Sequence, residues 1–226
     1  MQVAFIEAKY MGKIELDQKI LKKLPDKIGL VATVQFVNAL EDAQRILENN
    51  HKLCYVSLGK QKHKGQVLGC DISSAVAIKD KVDAYLYIGT GDFHPIMVSF
   101  ETGKKVFCYN PISKSFYEVR FDSEKLTQKK KGSLLKFLAA ENIGILVSTK
   151  LGQQKFKEAY ELKKKLVSQG KHAYILVSET LDFNEMENFN FVDCFVNTMC
   201  PRIGFDDRSK FTKPIINYKD ISEQVF

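Results

Sequence analysis

One structural unit is written twice along this chain. Ile28-Gly29-Leu30-Val31-Ala32-Thr33 precedes a helical segment from about Asn38 to Asn49, then Leu53-Cys54-Tyr55-Val56 and, later, Val82-Asp83-Ala84-Tyr85-Leu86-Tyr87-Ile88. The second series keeps the order. Ile143-Gly144-Ile145-Leu146-Val147-Ser148-Thr149 precedes a helical segment from about Gln153 to Gln169, then Ala173-Tyr174-Ile175-Leu176-Val177 and Val192-Asp193-Cys194-Phe195-Val196. The Ile-Gly and Val-Asp pairs recur at matching places. Each strand-like run is almost continuously apolar, as a sheet covered on both faces requires. Strands alternating with helices pair in parallel. The expected fold is therefore α/β: two tandem related three-layer α/β/α domains with mainly parallel sheets, residues 1–125 and 126–226.

The second helix carries the clearer pattern. Phe156, Tyr160, Leu162 and Leu166 mark an apolar side, and Lys155, Glu158, Glu161, Lys164 and Lys165 a wet one. Gly170 is placed to end it. In the first domain, Lys105–Tyr109 and Ser115–Val119 flank Asn110-Pro111-Ile112-Ser113 and predict a hairpin or pair of edge strands. Val3 to Tyr10 predicts another strand. Asp122-Ser123-Glu124-Lys125 and Lys129-Lys130-Lys131 predict a connection within 122–134. Lys213-Pro214-Ile215-Ile216-Asn217 predicts a segment lying across a neighbouring domain.

Length and charge bound the function. The chain has 226 residues and an ordinary apolar fraction of 45%, enough for a real core. No apolar stretch is long enough for a membrane span, and the first residues lack the layout of a signal peptide. A cytoplasmic protein with no membrane partner is expected. The net charge of +7 gives a surface suited to an acidic protein partner. Aromatic residues are not interleaved with basic ones, which disfavours nucleic acid.

The five cysteines divide by context. Cys54, Cys108 and Cys194 lie inside strand-like runs and read as core packing. Cys70 and Cys200 lie in polar, turn-rich loops. The odd count and a reducing compartment argue against a disulfide framework. Cys200 stands where a strand must end, because Pro201 cannot donate a ladder hydrogen bond. Arg202, Asp206 and Asp207 crowd the same loop. A soft thiolate outside a strand's carboxyl end makes a metal or cluster site the leading reading.

Three further loops could carry chemistry. Gly65-Gln66-Val67-Leu68-Gly69-Cys70-Asp71 offers glycine amides and a thiol that is either a ligand or nucleophile or part of an ordinary turn. Gly89-Thr90-Gly91-Asp92-Phe93-His94-Pro95 follows a strand and suits a small anionic ligand. It is not a dinucleotide fingerprint, since its third glycine is missing and no clear helix follows. His94 there is a ligand, an acid–base group or a hydrogen-bonded structural residue. In Ser148-Thr149-Lys150-Leu151-Gly152-Gln153, hydroxyls, a lysine and a helix N-terminus suit a carboxylate; helix capping by Ser148 or Thr149 serves equally. On sister domains, Cys70 and Cys200 are expected to face one cleft.

These four loops, in this order, resemble the archaeal members of the diphthamide-synthesis family, the 2-(3-amino-3-carboxypropyl)histidine synthases; the segment Ile28 to Leu40 is similar too. The resemblance covers nearly the whole chain. It implies related α/β domains that each give one cysteine to a 4Fe-4S cluster whose open iron meets S-adenosyl-L-methionine. It implies release of a 3-amino-3-carboxypropyl radical that adds to a histidine of translation elongation factor 2. It implies a homodimer. Carried over, Cys70 and Cys200 are the metal ligands. Gly89, Thr90, Gly91, His94, Lys150, Gly152, Gln153 and Arg202 line the cofactor pocket, and no residue is assigned to catalysis itself. The family has three such domains, and this sequence resembles the last two. Either a partner chain supplies the remaining domain, or the chain is a portion of a longer protein, or it is a short relative with altered activity. A non-catalytic subunit that docks the elongation factor or a catalytic partner is the alternative. A transferase using the same crevice without a cluster is a third reading.

Overall fold

The computed structural model describes residues 4, 6–205 and 210–225. It divides into two compact units, Met1–Phe121 and Asp122–Phe226. The first contains α1 (Gln18–Lys23), β1 (Lys27–Ala32), a 3-10 turn at Val34–Phe36, α2 (Ala39–Asn49), β2 (Leu53–Tyr55), α3 (Ser73–Val76), β3 (Ala84–Ile88), α4 (Phe93–Thr102), β4 (Lys105–Asn110) and β5 (Ser115–Glu118). Its sheet runs β2-β1-β3-β4-β5. Neighbours are parallel except the β4–β5 hairpin. Leu40, Ala43 and Leu47 recur at helical spacing, so α2 buries one face against Ile28, Leu30 and Leu86. Ala75, Ile78 and Val98 from α3, its following turn and α4 cover the other face with Val31, Tyr85 and Tyr87.

The second unit contains α5 (Ser123–Ala139), β6 (Asn142–Ser148), α6 (Phe156–Ser168), β7 (His172–Ser178), a 3-10 turn at Glu185–Asn188, β8 (Cys194–Asn197), α7 (Arg202–Phe205), β9 (Ile215–Asn217) and α8 (Tyr218–Val225). Its sheet, β7-β6-β8-β9, is wholly parallel. Phe137, Leu162, Leu166 and Ile221 bring α5, α6 and α8 onto one face. The other face is covered more thinly, by Met186, Phe189, Met199, Ile203 and Phe211. The fold class is thus α/β with two mainly parallel sheets.

The repeat is physical. The orders β2-β1-β3-β4 and β7-β6-β8-β9 correspond strand for strand. Gly29 pairs with Tyr85 and Gly144 with Phe195, one step after Ile28↔Ala84 and Ile143↔Cys194. A Cβ on Gly29 would stand 2.5 Å from the Tyr85 ring, and one on Gly144 2.8 Å from that of Phe195. The glycine of each Ile-Gly pair therefore makes room for an aromatic ring on the neighbouring strand. The Val-Asp pairs also match: Asp83 N–H donates to Lys27 O, and Asp193 N–H to Asn142 O, each at 2.9 Å.

Five local expectations are corrected. A helix does follow the Gly89 loop: α4 begins at Phe93, with Pro95 in its first turn, where a missing N–H is tolerated. Its mostly apolar sequence hides the amphipathic signature. The expected connection at 122–134 is helix α5, started by Asp122, whose carboxylate accepts from Lys125 N at 2.8 Å; lysine and glutamine are good helix formers. The segment Ile215–Asn217 is strand β9 of its own sheet, with Ile215 and Ile216 buried. Ser148 and Thr149 do not cap α6, which starts at Phe156 after Lys155. The described part of Val3–Tyr10 is not a strand; Tyr10 N donates to Gln35 O at 2.6 Å, and Val3 and Phe5 lie outside the described residues.

Candidate functional site

Both sheets reverse their winding at one place. In the first, β1 leads to β2 on one side, and the chain then crosses to β3 on the other. In the second, β6, β7 and β8 do the same. Such a switch point leaves a crevice at the strands' carboxyl ends, where ligands bind in open α/β sheets. The Gly89, Lys150 and Cys200 loops leave strands that flank these points, and the Cys70 loop, which follows β2, is brought to the first one by the bridge from Gln66 to Ala32.

Cys70 reaches its place through a long excursion after β2. Gln66 bridges to Ala32, the last residue of β1; Ala32 N donates to Gly65 O at 2.9 Å and Val67 N to Ala32 O at 2.8 Å. The chain then reverses through Leu68-Gly69-Cys70-Asp71, closed by Asp71 N to Leu68 O at 3.1 Å and Leu68 N to Asp71 O at 2.8 Å. Cys70 is exposed on this turn. The Asp71 carboxylate accepts from Gln61 Nε2 at 2.6 Å and Ser73 N at 3.0 Å. Burial acts to raise its pKa, but these hydrogen bonds outweigh it and hold the carboxyl below its usual range.

The Gly89 loop lies against this turn. Phe93 packs on Gly69 so closely that a Cβ there would overlap its ring. Gly89 is buried, while Thr90 and Gly91 are exposed. His94, half-buried, stacks with Tyr87 at 6.4 Å between ring centroids. The Tyr87 hydroxyl donates to Thr90 O at 3.2 Å. Tyr117 on β5 donates to Asp92 Oδ1 at 2.5 Å, tying the hairpin to the start of α4. The first unit thus brings Cys70, Gly89, Thr90, Gly91 and His94 into one cluster of loops.

In the second unit β6 and β8 are adjacent and parallel, so their carboxyl-end loops leave side by side. After β6, Gln153 N donates to Lys150 O at 3.0 Å, and Gly152 takes φ +80, which a side chain would resist. Lys150, Gly152 and Gln153 are exposed. After β8, Thr198 Oγ1 donates to Leu146 O at 2.7 Å, and Cys200 comes two residues later, half-buried. The Cys200 carbonyl accepts from Asn197 Nδ2 at 2.9 Å and from Ile203 N at 3.0 Å. Arg202 opens α7, exposed; Asp206 and Asp207 lie outside the described residues.

None of the five cysteines is in a disulfide. Burial pushes the Cys54 and Cys108 thiols up to about 12, with Cys54 half-buried in β2 and Cys108 buried in β4. Cys194 is buried in β8. Thiols kept protonated are poor ligands, so Cys54 and Cys108 are unsuited to hold a metal. Among the described residues, no three His, Cys, Asp or Glu side chains gather as a metal site. Sequence reasoning missed the roles of Phe93, Tyr117, Asn197 and Asn217, because each acts on a loop through tertiary register.

Two mainly parallel α/β units, each with a cysteine in a loop near its switch point, define the class of fold. Within that class, the chain belongs to the diphthamide-synthesis family: the family model described as "Putative diphthamide synthesis protein" matches residues 1–222. The chain is 33% identical over 205 residues to the 2-(3-amino-3-carboxypropyl)histidine synthase of Pyrococcus horikoshii, covering 89% of this chain and 58% of that one. It is 26% identical to the Methanocaldococcus jannaschii synthase, covering 95% and 59%. Its fold matches the crystal structure of Dph2 from Pyrococcus horikoshii with a 4Fe-4S cluster: the TM-score is 0.76 at 30% identity, over 91% of this chain and 58% of that one. The chain thus spans well under two thirds of the length of these relatives.

Proposed function

We propose that this chain is part of the enzyme for the first step of diphthamide biosynthesis. That step transfers a 3-amino-3-carboxypropyl group from S-adenosyl-L-methionine to a histidine of translation elongation factor 2. One observation carries the reading: the two loop cysteines, Cys70 and Cys200, occupy the switch points of their sheets, while the other three lie in strands. The donor set suits an iron–sulfur cluster, because thiolates are its usual ligands and neither cysteine is engaged in a disulfide. When bound, the cluster supplies an electron at low potential for breaking a carbon–sulfur bond.

The loops support roles for the remaining residues. Lys150 and Arg202 attract the carboxylate of the methionine portion, and the turn at Gly152 and Gln153 offers backbone amides beside them. Gly89, Thr90 and Gly91 let the backbone approach the cofactor closely, and His94 borders the same pocket. The resemblance implies three cysteine ligands per cluster. Two are assigned to this chain, and the third to a partner chain or to a further segment of a longer protein. The reaction belongs in the cytoplasm, where thiols stay reduced and the elongation factor works.

The test is anaerobic transfer of label. The chain is reconstituted with iron and sulfide, reduced with dithionite, and given S-adenosyl-L-methionine labelled in its aminocarboxypropyl portion together with elongation factor 2, with and without a partner segment carrying a third cysteine. Label on the factor's histidine supports the reading. A chain that loads iron and binds the factor, yet transfers no label in either setting, supports the docking-subunit alternative instead.

A further inference from the structure

We propose that Asn197 and Asn217 are positioning residues for Cys200, forming an amide pair across the carboxyl ends of β8 and β9 that holds the cysteine's turn in one conformation. The inference rests on the ligand role proposed for Cys200 and adds two residues to it. Asn197 and Asn217 are the last residues of their strands and face each other in register. Asn197 is 2% exposed. Its Nδ2 donates to Cys200 O at 2.9 Å and to Asn217 Oδ1 at 2.7 Å, while its Oδ1 accepts from Met199 N at 3.0 Å. Asn217 extends the chain by donating from Nδ2 to Pro201 O at 3.1 Å.

Two successive carbonyls, those of Cys200 and Pro201, are therefore held by side-chain amides. Pro201 fixes its own φ, and Ile203 N adds a second bond to Cys200 O at 3.0 Å. Little is left free except the cysteine side chain. Gly204 completes the arrangement: a Cβ there would overlap the Asn217 amide, so this glycine lets α7 lie against it. Asparagine suits the position because it donates and accepts at once. Aspartate has the same shape, but its carboxylate cannot donate to the Pro201 carbonyl. Leaving a partly buried acceptor unpaired is costly, so breaking the pair should release the turn before it unfolds the sheet.

The test reads the thiol without any cluster. The reduced, metal-free chain is alkylated with iodoacetamide, and the Cys200 and Cys70 peptides are followed by mass spectrometry, Cys70 serving as internal reference. Asn217→Ala and Asn217→Asp are expected to raise the Cys200 rate relative to Cys70 by about tenfold. Gly204→Ala, which displaces the amide without deleting it, is expected to raise it by about threefold. Ile216→Val loosens β9 without touching the amides and is expected to leave the ratio unchanged. If Asn217→Ala does not fold, Asn217→Asp and Gly204→Ala decide. A ratio within about twofold of wild type in Asn217→Asp, or an equal rise in Ile216→Val, overturns the proposal. Iron uptake by the wild-type chain is measured separately. If it fails with the third ligand supplied, the ligand reading fails, while the alkylation ratio still decides the role of the amides. In the loaded, reduced protein, a broadened electron paramagnetic resonance signal in Asn217→Asp supports the role, and an unchanged one opposes it.

Discussion

The turns that carry Cys70 and Cys200 reach similar places by different means. Cys200 comes soon after its strand, beyond two intervening residues, and two asparagine side chains hold it from the ends of β8 and β9. Cys70 arrives at the end of a long excursion, closed by main-chain bonds between Leu68 and Asp71 and weighted by the Phe93 ring on Gly69. The strand equivalent to β8 is β3, and β3 runs into the Gly89 loop. The two cysteines are therefore not repeat-equivalent. The duplicated fold repeats its strand order, while the loop cysteine is placed differently in each unit.

The largest effects should come from the shared frame. Gly29→Ala and Gly144→Ala each drive a methyl group into an aromatic ring and should destabilise by about 1–3 kcal/mol. Gly29 should lie toward the top of that range, because Tyr85 cannot swing aside: its hydroxyl donates to Ala75 O at 2.6 Å. Urea unfolding of both variants checks this, and equal costs would remove the distinction between the units. Next comes the Cys70 turn. Asp71→Ala removes the acceptor for Gln61 and Ser73 and should cost about 1–2 kcal/mol locally. Hydrogen exchange should rise within residues 57–73 and stay unchanged around Cys200. Tyr117→Phe is milder. Losing the bond to Asp92 should cost about 0.5–1.5 kcal/mol, read as faster exchange at residues 89–95.

The smallest effect depends on pH and belongs to the first unit. The Glu7 carboxylate accepts from His63 Nε2 at 2.9 Å, with Lys62 and Lys9 each at 3.3 Å. The bond to His63 contributes most to lowering its pKa from 4.5 to about 2. A depressed carboxylate pKa gives stabilisation that is complete above the unfolded value and lost as pH falls through the folded one. The hold of Glu7 on the loop before Cys70 should therefore weaken between pH 4.5 and about 2. An NMR titration of Glu7 should show a midpoint near 2 that moves up toward 4.5 in His63→Ala. A midpoint unmoved by that substitution would show that the lysines suffice.

The doubled α/β frame was legible because buried strands must be apolar and because the Ile-Gly and Val-Asp pairs recur in register. Elements whose local signal contradicts their environment were not. Helix α4 is too apolar to show a polar face and carries Pro95. The lysines of α5 read as a linker because they cover a solvated face, and β9 is three residues long. At the candidate site, the loop placement of Cys70 and Cys200 was legible, because both stand among turn residues outside the apolar runs. Their supports did not, since Phe93 meets Gly69 and Asn197 meets Asn217 only once the sheets are assembled.

The central claim is that Cys70 and Cys200 ligate one iron–sulfur cluster, and iron bound after anaerobic reconstitution measures it most directly. With the third ligand supplied, the wild-type chain should bind iron and sulfide in equal amounts, four of each per cluster. Cys70→Ala and Cys200→Ala should each lose most of it, and the double variant should lose no more than the worse single one. Full iron content in either single variant, or losses that add independently as if each thiol held its own metal, would contradict the account.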